Sequence, residues 1–206
     1  MELGKGSTAL IVVDMQNGFL AENGSCSRAG IDCSPLRVAL PACEQLVAAA
    51  RAANVPIIFS RYVYQKDYVD GGIVVREFFP VFRSVGALKE GTDDIEVVPS
   101  LSPLPGDLLV DKNRPSAFFG TRLDSYLKGL GVDSLVVCGI TANVCVETTV
   151  RDAMQRDYKI WVPREAVAEF EETRLQGSLA SMAWMFAKIM DLPQVVEAMP
   201  SLGRRR

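Results

Sequence analysis

The sequence predicts a doubly wound, three-layer α/β/α domain built on a parallel sheet. Three observations carry that expectation. Five short runs, Ala9–Val13, Pro56–Ser60, Asp107–Val110, Ser134–Cys138 and Lys159–Val162, are rich in Val, Ile and Leu and do not alternate with polar residues. Strands covered on both faces have this composition. Segments of helical periodicity lie between the runs, and such alternation builds a parallel sheet with helices on both faces. At 206 residues, about half of them hydrophobic, the chain suits one domain with a sizeable core, taken here as residues 1–206.

The first run, TALIVV, ends at Asp14 and is short for the apolar core of a signal peptide. No segment approaches the length of a membrane span, so a cytoplasmic protein is expected. In SPLRVALPACEQLVAAARAAN, Leu36, Leu40, Cys43, Val47 and Ala50 recur at spacings of four and three, which marks one buried helical stripe. The second run follows. From about Arg61 to Ser100 the rhythm breaks, and RYVYQKDYVDGG and REFFPVF hold aromatics and glycine without periodicity. Long irregular insertions in a compact domain are commonly functional loops, so this interval is expected to wall a pocket.

The third run leads into Lys112, within LVDKNRP. TRLDSYLKGLG then reads as a short helix stopped by glycine. The fourth run passes through GITANVCVETTVRDA, where Asn143 is expected to cap a helix carrying Val146, Val150 and Ala153. After the fifth run, EETRLQGSLASMAWMFAKIM supplies a last long helix.

The net charge of −3, with no basic cluster longer than the terminal Arg204–Arg206, argues against a nucleic-acid partner. That tail reads as a solvated end. The five cysteines, at 26, 33, 43, 138 and 145, are odd in number and form no C-x-x-C pair, which fits neither a disulfide framework nor a zinc cage. Cys43 lies on the buried stripe and Cys138 ends an apolar run, so both read as small core hydrophobes. The chain contains no histidine.

In an open α/β sheet the ligand crevice lies beyond the carboxyl ends of the strands. Asp14, Lys112 and Cys145 stand there. Each has a plain alternative: an aspartate caps turns, a lysine is a solvated charge, and a lone cysteine packs in the core. Three different reactive groups at three strand ends favour chemistry. A thiol becomes a good nucleophile when ionised, and a cation or a helix N-terminus lowers its pKa. Cys145 is expected to have both, and Asp14 can take the thiol proton and return it to a departing amine. Aspartate would thus do the work for which other thiol enzymes use histidine.

The segments ALIVVDMQNGFL, DKNRPSAFFGTRLD and VVCGITANVCVETTVRDA resemble, in order and spacing, the three signature segments of the isochorismatase-like cysteine hydrolases. The resemblance spans roughly Ser7 to Met190. It implies a six-stranded parallel sheet in the order 3-2-1-4-5-6 and a catalytic triad falling on Asp14, Lys112 and Cys145. It also implies a non-proline cis peptide between Ile140 and Thr141, with the backbone N–H groups of Thr141 and Cys145 as an oxyanion hole. Related sequences often carry threonine where Ala142 stands, so a hydroxyl is missing here. With strand three at the sheet edge, Lys112 is expected to reach inward from a loop that curls back over the sheet.

Within that family, the nicotinamidase branch uses a metal held by histidines, which this chain lacks, so no metal or other cofactor is expected. Members acting on isochorismate, a vinyl ether, characteristically lack the cysteine. The presence of Cys145 therefore points to the branch resembling N-carbamoylsarcosine and ureidoacrylate amidohydrolases, acting on a small linear amide or ureide. Phe19, Arg61, Tyr62, Arg114, Phe118 and Phe119 flank the motifs and are expected to line the pocket, with an arginine suited to a substrate carboxylate. By analogy with the family, a homodimer or homotetramer is expected. Other readings stay open at this point: a non-catalytic binding module for a small molecule or a protein, a hydrolase of isochorismate type, and a thiol redox sensor. The sensor needs a resolving cysteine, which the seven-residue spacing from Cys138 to Cys145 does not offer.

Overall fold

The computed structural model describes residues 7–202; Arg204–Arg206 lie outside the described residues. All five expected strands form, most of them running a residue or two further: β1 (Thr8–Val13), β2 (Ile57–Tyr62), β3 (Leu108–Lys112), β4 (Ser134–Ile140) and β5 (Lys159–Pro163). Two short strands join them, β6 (Val167–Ala168) and β7 (Lys188–Met190). Every pairing is parallel. The order is β3-β2-β1-β4-β5-β7, with β6 paired on β4 off that path. The six-strand order implied by the resemblance is therefore present, with the last place taken by the seventh strand in the chain.

Every residue of β1 and β4 is buried. Helices cover both faces of these central strands, which explains why their sequences carry no polar alternation. Val13 pairs with Ser60 on one side and with Gly139 on the other. Gly139 has φ +116°, and a Cβ there would collide with the Val13 carbonyl oxygen. Only glycine lets β4 close on β1 at this level and turn towards Cys145.

The stripe of Leu36, Cys43, Val47 and Ala50 is buried, with Leu40 partly so. It does not belong to one continuous helix. A 3-10 turn over Ser34–Ala39 precedes the α-helix Leu40–Ala52. Pro41 explains the change, because its ring would clash with the carbonyl four residues back in a continuous helix but fits the first turn of a new one.

Asn143 does not cap the helix that follows β4. A wider, π-type turn spans Ala142–Val146 ahead of the helix Glu147–Met154, and Thr141 takes the cap position. The Asn143 Oδ1 is buried without a hydrogen-bond partner among the described residues. The last long helix also ends earlier than its pattern suggested. It covers Glu172–Met185, after which the N–H groups of Phe186 and Ala187 both donate to the Met182 carbonyl and release the chain into β7. A final helix, Leu192–Ala198, opens with a capping box between Asp191 and Gln194.

Between β2 and β3 the chain makes short turns, including Val74–Phe78 and Val81–Val85. Gln16 fastens this excursion to the end of β1. Its Nε2 donates to the carbonyls of Tyr62 (3.0 Å) and Ile95 (3.1 Å), and its Oε1 accepts the Tyr62 N–H at 2.6 Å. Among the described residues no helix is long and apolar enough to cross a membrane.

Candidate active site

Asp14 is the first residue past β1 and takes φ +54°, a left-handed conformation that aspartate tolerates better than most residues. Its N–H donates to the Ser60 carbonyl on β2 (3.1 Å). The carboxylate is buried and held on both oxygens: Ser60 Oγ donates to Oδ1 at 2.8 Å, and Lys112 Nζ donates to Oδ2 at 2.6 Å.

Lys112 reaches this point without the expected loop. It is the last residue of β3 and pairs in register with Tyr62. Its side chain crosses over β2, passing 4.1 Å from the centroid of the Tyr62 ring, to meet Asp14 at the end of β1. An ammonium has three N–H donors, and three acceptors surround this one: Asp14 Oδ2, the Arg114 carbonyl at 3.2 Å and Cys145 Sγ at 3.4 Å. Burial works against the charge. The carboxylate and the sulfur outweigh it, and the Lys112 pKa rises above the usual lysine value.

Cys145 lies in the π-type turn and is 6 % exposed. Its thiol differs from the expected one. Burial is the largest influence and pushes the pKa up to about 12, Lys112 lowers it only in part, and the Asp14 charge adds to the rise. The resting group is therefore a neutral thiol.

The turn that carries Cys145 is tied down from several sides. The peptide between Ile140 and Thr141 is cis. Glu169, buried just past β6, accepts the Asn143 N–H on Oε2 (3.1 Å) and the Phe170 N–H on Oε1 (2.9 Å). Ser178 Oγ lies 3.0 Å from the Ala142 carbonyl and 2.6 Å from Glu147 Oε2.

Asp14, Thr141 and Cys145 border a cavity of about 210 Å³. Aromatic side chains from distant segments form its walls, among them Phe19, Tyr62, Tyr64, Phe79, Phe82 and Phe170. Burial pushes the Tyr64 phenol up to about 12, so it remains neutral.

Of the six expected pocket residues, the structure places Phe19 and Tyr62 on this cavity and the other four elsewhere. Arg61 neighbours Tyr62 in β2, so it points to the opposite face of the strand. There its guanidinium binds Asp111 at 2.7 and 2.9 Å and Glu96 at 3.2 Å. Arg114 Nη1 donates to the carbonyls of Asp70 (2.9 Å) and Asn113 (2.6 Å). Phe118 is buried against Tyr158, and Phe119 is exposed. Cys43 and Cys138 are buried in the core, whereas Cys26 lies on the cavity wall.

Sequence reasoning missed Ser60, Gln16 and Glu169. Ser60 left a faint signal as the polar residue closing an apolar run, but its pairing with Asp14 across the sheet left none. Among the described residues no three His, Cys, Asp or Glu side chains converge as metal ligands would.

The profile of the isochorismatase domain family matches residues 8–194. A ureidoacrylate amidohydrolase of Methylorubrum extorquens is 35% identical over 215 residues, covering 97% of this chain and 86% of that protein. Among solved structures, a cysteine hydrolase from Pseudomonas syringae pv. phaseolicola superposes with a TM-score of 0.84 at 31% identity, covering 98% of this chain and 95% of the other. The N-carbamoylsarcosine amidase of Thermoplasma acidophilum gives a TM-score of 0.72 at 25% identity, with 90% and 96% covered.

Proposed function

The chain belongs to the isochorismatase family, and we propose that it hydrolyses the C–N bond of a small linear amide or ureide through a thioester on Cys145. The observation that carries the reading is the buried Lys112 ammonium, which touches both Asp14 Oδ2 and Cys145 Sγ. The names of two relatives that match most of the chain, an amidohydrolase and an amidase, support the reaction class.

A thiol whose pKa is about 12 cannot wait as a thiolate at neutral pH. Its proton must leave as the sulfur attacks. The Asp14 carboxylate takes that proton while Sγ bonds to the carbonyl carbon, and the fixed charge of Lys112 offsets the negative charge as it moves from carboxylate to sulfur. The oxyanion that forms lies beside Thr141 and Cys145, whose backbone N–H groups are assigned to it. Asp14 then protonates the departing nitrogen, the C–N bond breaks, and ammonia or an amine leaves. In the second half Asp14 takes a proton from water as the water oxygen attacks the thioester. Collapse breaks the C–S bond, returns that proton to sulfur and releases a carboxylic acid. One water is consumed, and the enzyme is regenerated unchanged.

Because Tyr62 covers the ammonium, and Asp14 and the Cys145 sulfur outweigh burial and raise the Lys112 pKa, Lys112 serves here as a permanent cation and not as a base. The reading is tested by ammonia release over a panel of amides and ureides. The wild type should release ammonia from at least one of them and the Cys145→Ala variant from none; a wild type inactive on the whole panel overturns the assignment.

A further inference from the structure

We propose that the substrate is an uncharged amide with an apolar acyl group, aromatic or branched aliphatic, and not the carboxylate-bearing amide or ureide that the name of the Methylorubrum relative suggests. This inference rests on the amidohydrolase reading above and narrows it to a substrate class.

Among the described residues the cavity's one charged lining side chain is Asp14, whose two oxygens are already engaged by Ser60 and Lys112. A substrate carboxylate would need a cation, and among the described residues no lysine or arginine lines the cavity. The donors of Lys112 are spent on Asp14, Cys145 and the Arg114 carbonyl. Arg114 does not line the cavity and donates through Nη1 to the carbonyls of Asp70 and Asn113, and Arg61 is clamped by Asp111 and Glu96 on the opposite face of β2. An anion entering the cavity would lose its hydration, gain no counter-ion and face the Asp14 charge.

What the cavity offers instead is ring and methyl surface. Phe79 and Phe82 stack with centroids 5.1 Å apart, and Tyr62 and Tyr64 tilt together at 5.2 Å. A dry cavity of about 150 Å³ with this kind of lining holds benzene. The 210 Å³ here therefore admits a group of about that size together with its amide. The same physics favours turnover. Hydrolysis converts the neutral amide into a carboxylate, which the apolar wall then expels, so the product is a poor inhibitor.

The test compares kcat/KM for ammonia release from phenylacetamide and isovaleramide with that from maleamate and ureidoacrylate, in the wild type, Cys145→Ala and Phe79→Arg proteins. The neutral pair should exceed the anionic pair by at least about a hundredfold. Phenylacetate should inhibit phenylacetamide hydrolysis only weakly. Phe79 is half-exposed at the cavity wall, so arginine there is tolerated, and it should shrink the preference by lowering the rate on phenylacetamide and raising that on maleamate. Equal or faster hydrolysis of the anionic pair by the wild type overturns the inference and leaves the amidohydrolase reading standing. Failure to hydrolyse any of the four overturns the reading, and the inference with it.

Discussion

Lys112 Nζ lies 3.4 Å from Cys145 Sγ although two strands separate β3 from β4, the strands that deliver them. The side chain of Lys112 spans the gap across the Tyr62 ring and meets Asp14 on the way, at 2.6 Å. Asp14 and Cys145, carried by two other strands, thus share the one buried cation of Lys112, and the losses of the three groups should not add.

Lys112→Met and Asp14→Asn should each lower turnover by at least about a hundredfold, the scale of lost general acid–base catalysis. Removing the ammonium leaves a buried carboxylate uncompensated, whereas Asp14→Asn leaves the cation but removes the proton carrier. Steady-state kinetics of the double variant should show a loss close to that of the poorer single one. Additive losses would mean that the two side chains act separately.

The pH dependence of the thiol follows from its burial. A folded-state pKa raised to about 12 means that the native protein holds the proton more tightly than the unfolded chain, where a thiol titrates near 8.5. The corresponding stability is present below the unfolded value and is lost as pH rises from there towards 12. Unfolding free energy measured across that window should fall more steeply for the wild type than for Cys145→Ala. Alkylation of Cys145 by iodoacetamide should still be accelerating at pH 10. A plateau near pH 7 would show a preformed thiolate and contradict the neutral resting thiol.

Much of this arrangement was legible in the sequence for physical reasons. Parallel strands buried on both faces leave unbroken apolar runs, so β1 to β5 stood out, and Asp14, Lys112 and Cys145 could be read off their ends. The edge strand β7 did not, because Lys188–Met190 is only three residues long, partly exposed, and continues a helical pattern. Arg61 and Arg114 were misplaced because their partners, Asp111, Glu96 and the Asp70 carbonyl, lie far along the chain. The raised pKa of Cys145 was invisible for a related reason: a motif shows the neighbours of a thiol but not how dry its surroundings are.

Glu169 joins the end of β6 to the turn that carries Cys145 by accepting two N–H groups. Glu169→Gln keeps one acceptor and turns an N–H of its own towards a backbone N–H. The expected cost is about 1–3 kcal/mol in chemical denaturation. The turn should shift slightly, lowering kcat between roughly tenfold and a hundredfold while KM changes little. Unchanged kcat at the expected loss of stability would mean that Glu169 supports only the fold.

The thioester itself is the most direct object of measurement. Wild-type protein turning over a hydrolysed amide, quenched in acid and examined by intact-mass and peptide mass spectrometry, should carry the substrate's acyl group on Cys145. The adduct should be absent from a folded Cys145→Ala variant that releases no ammonia, and present in Cys43→Ala, because the native Cys43 thiol is buried in the core and donates to the Ala166 carbonyl at 3.4 Å. Ammonia release by Cys145→Ala at the wild-type rate, with no acyl adduct on the wild type, would contradict the account.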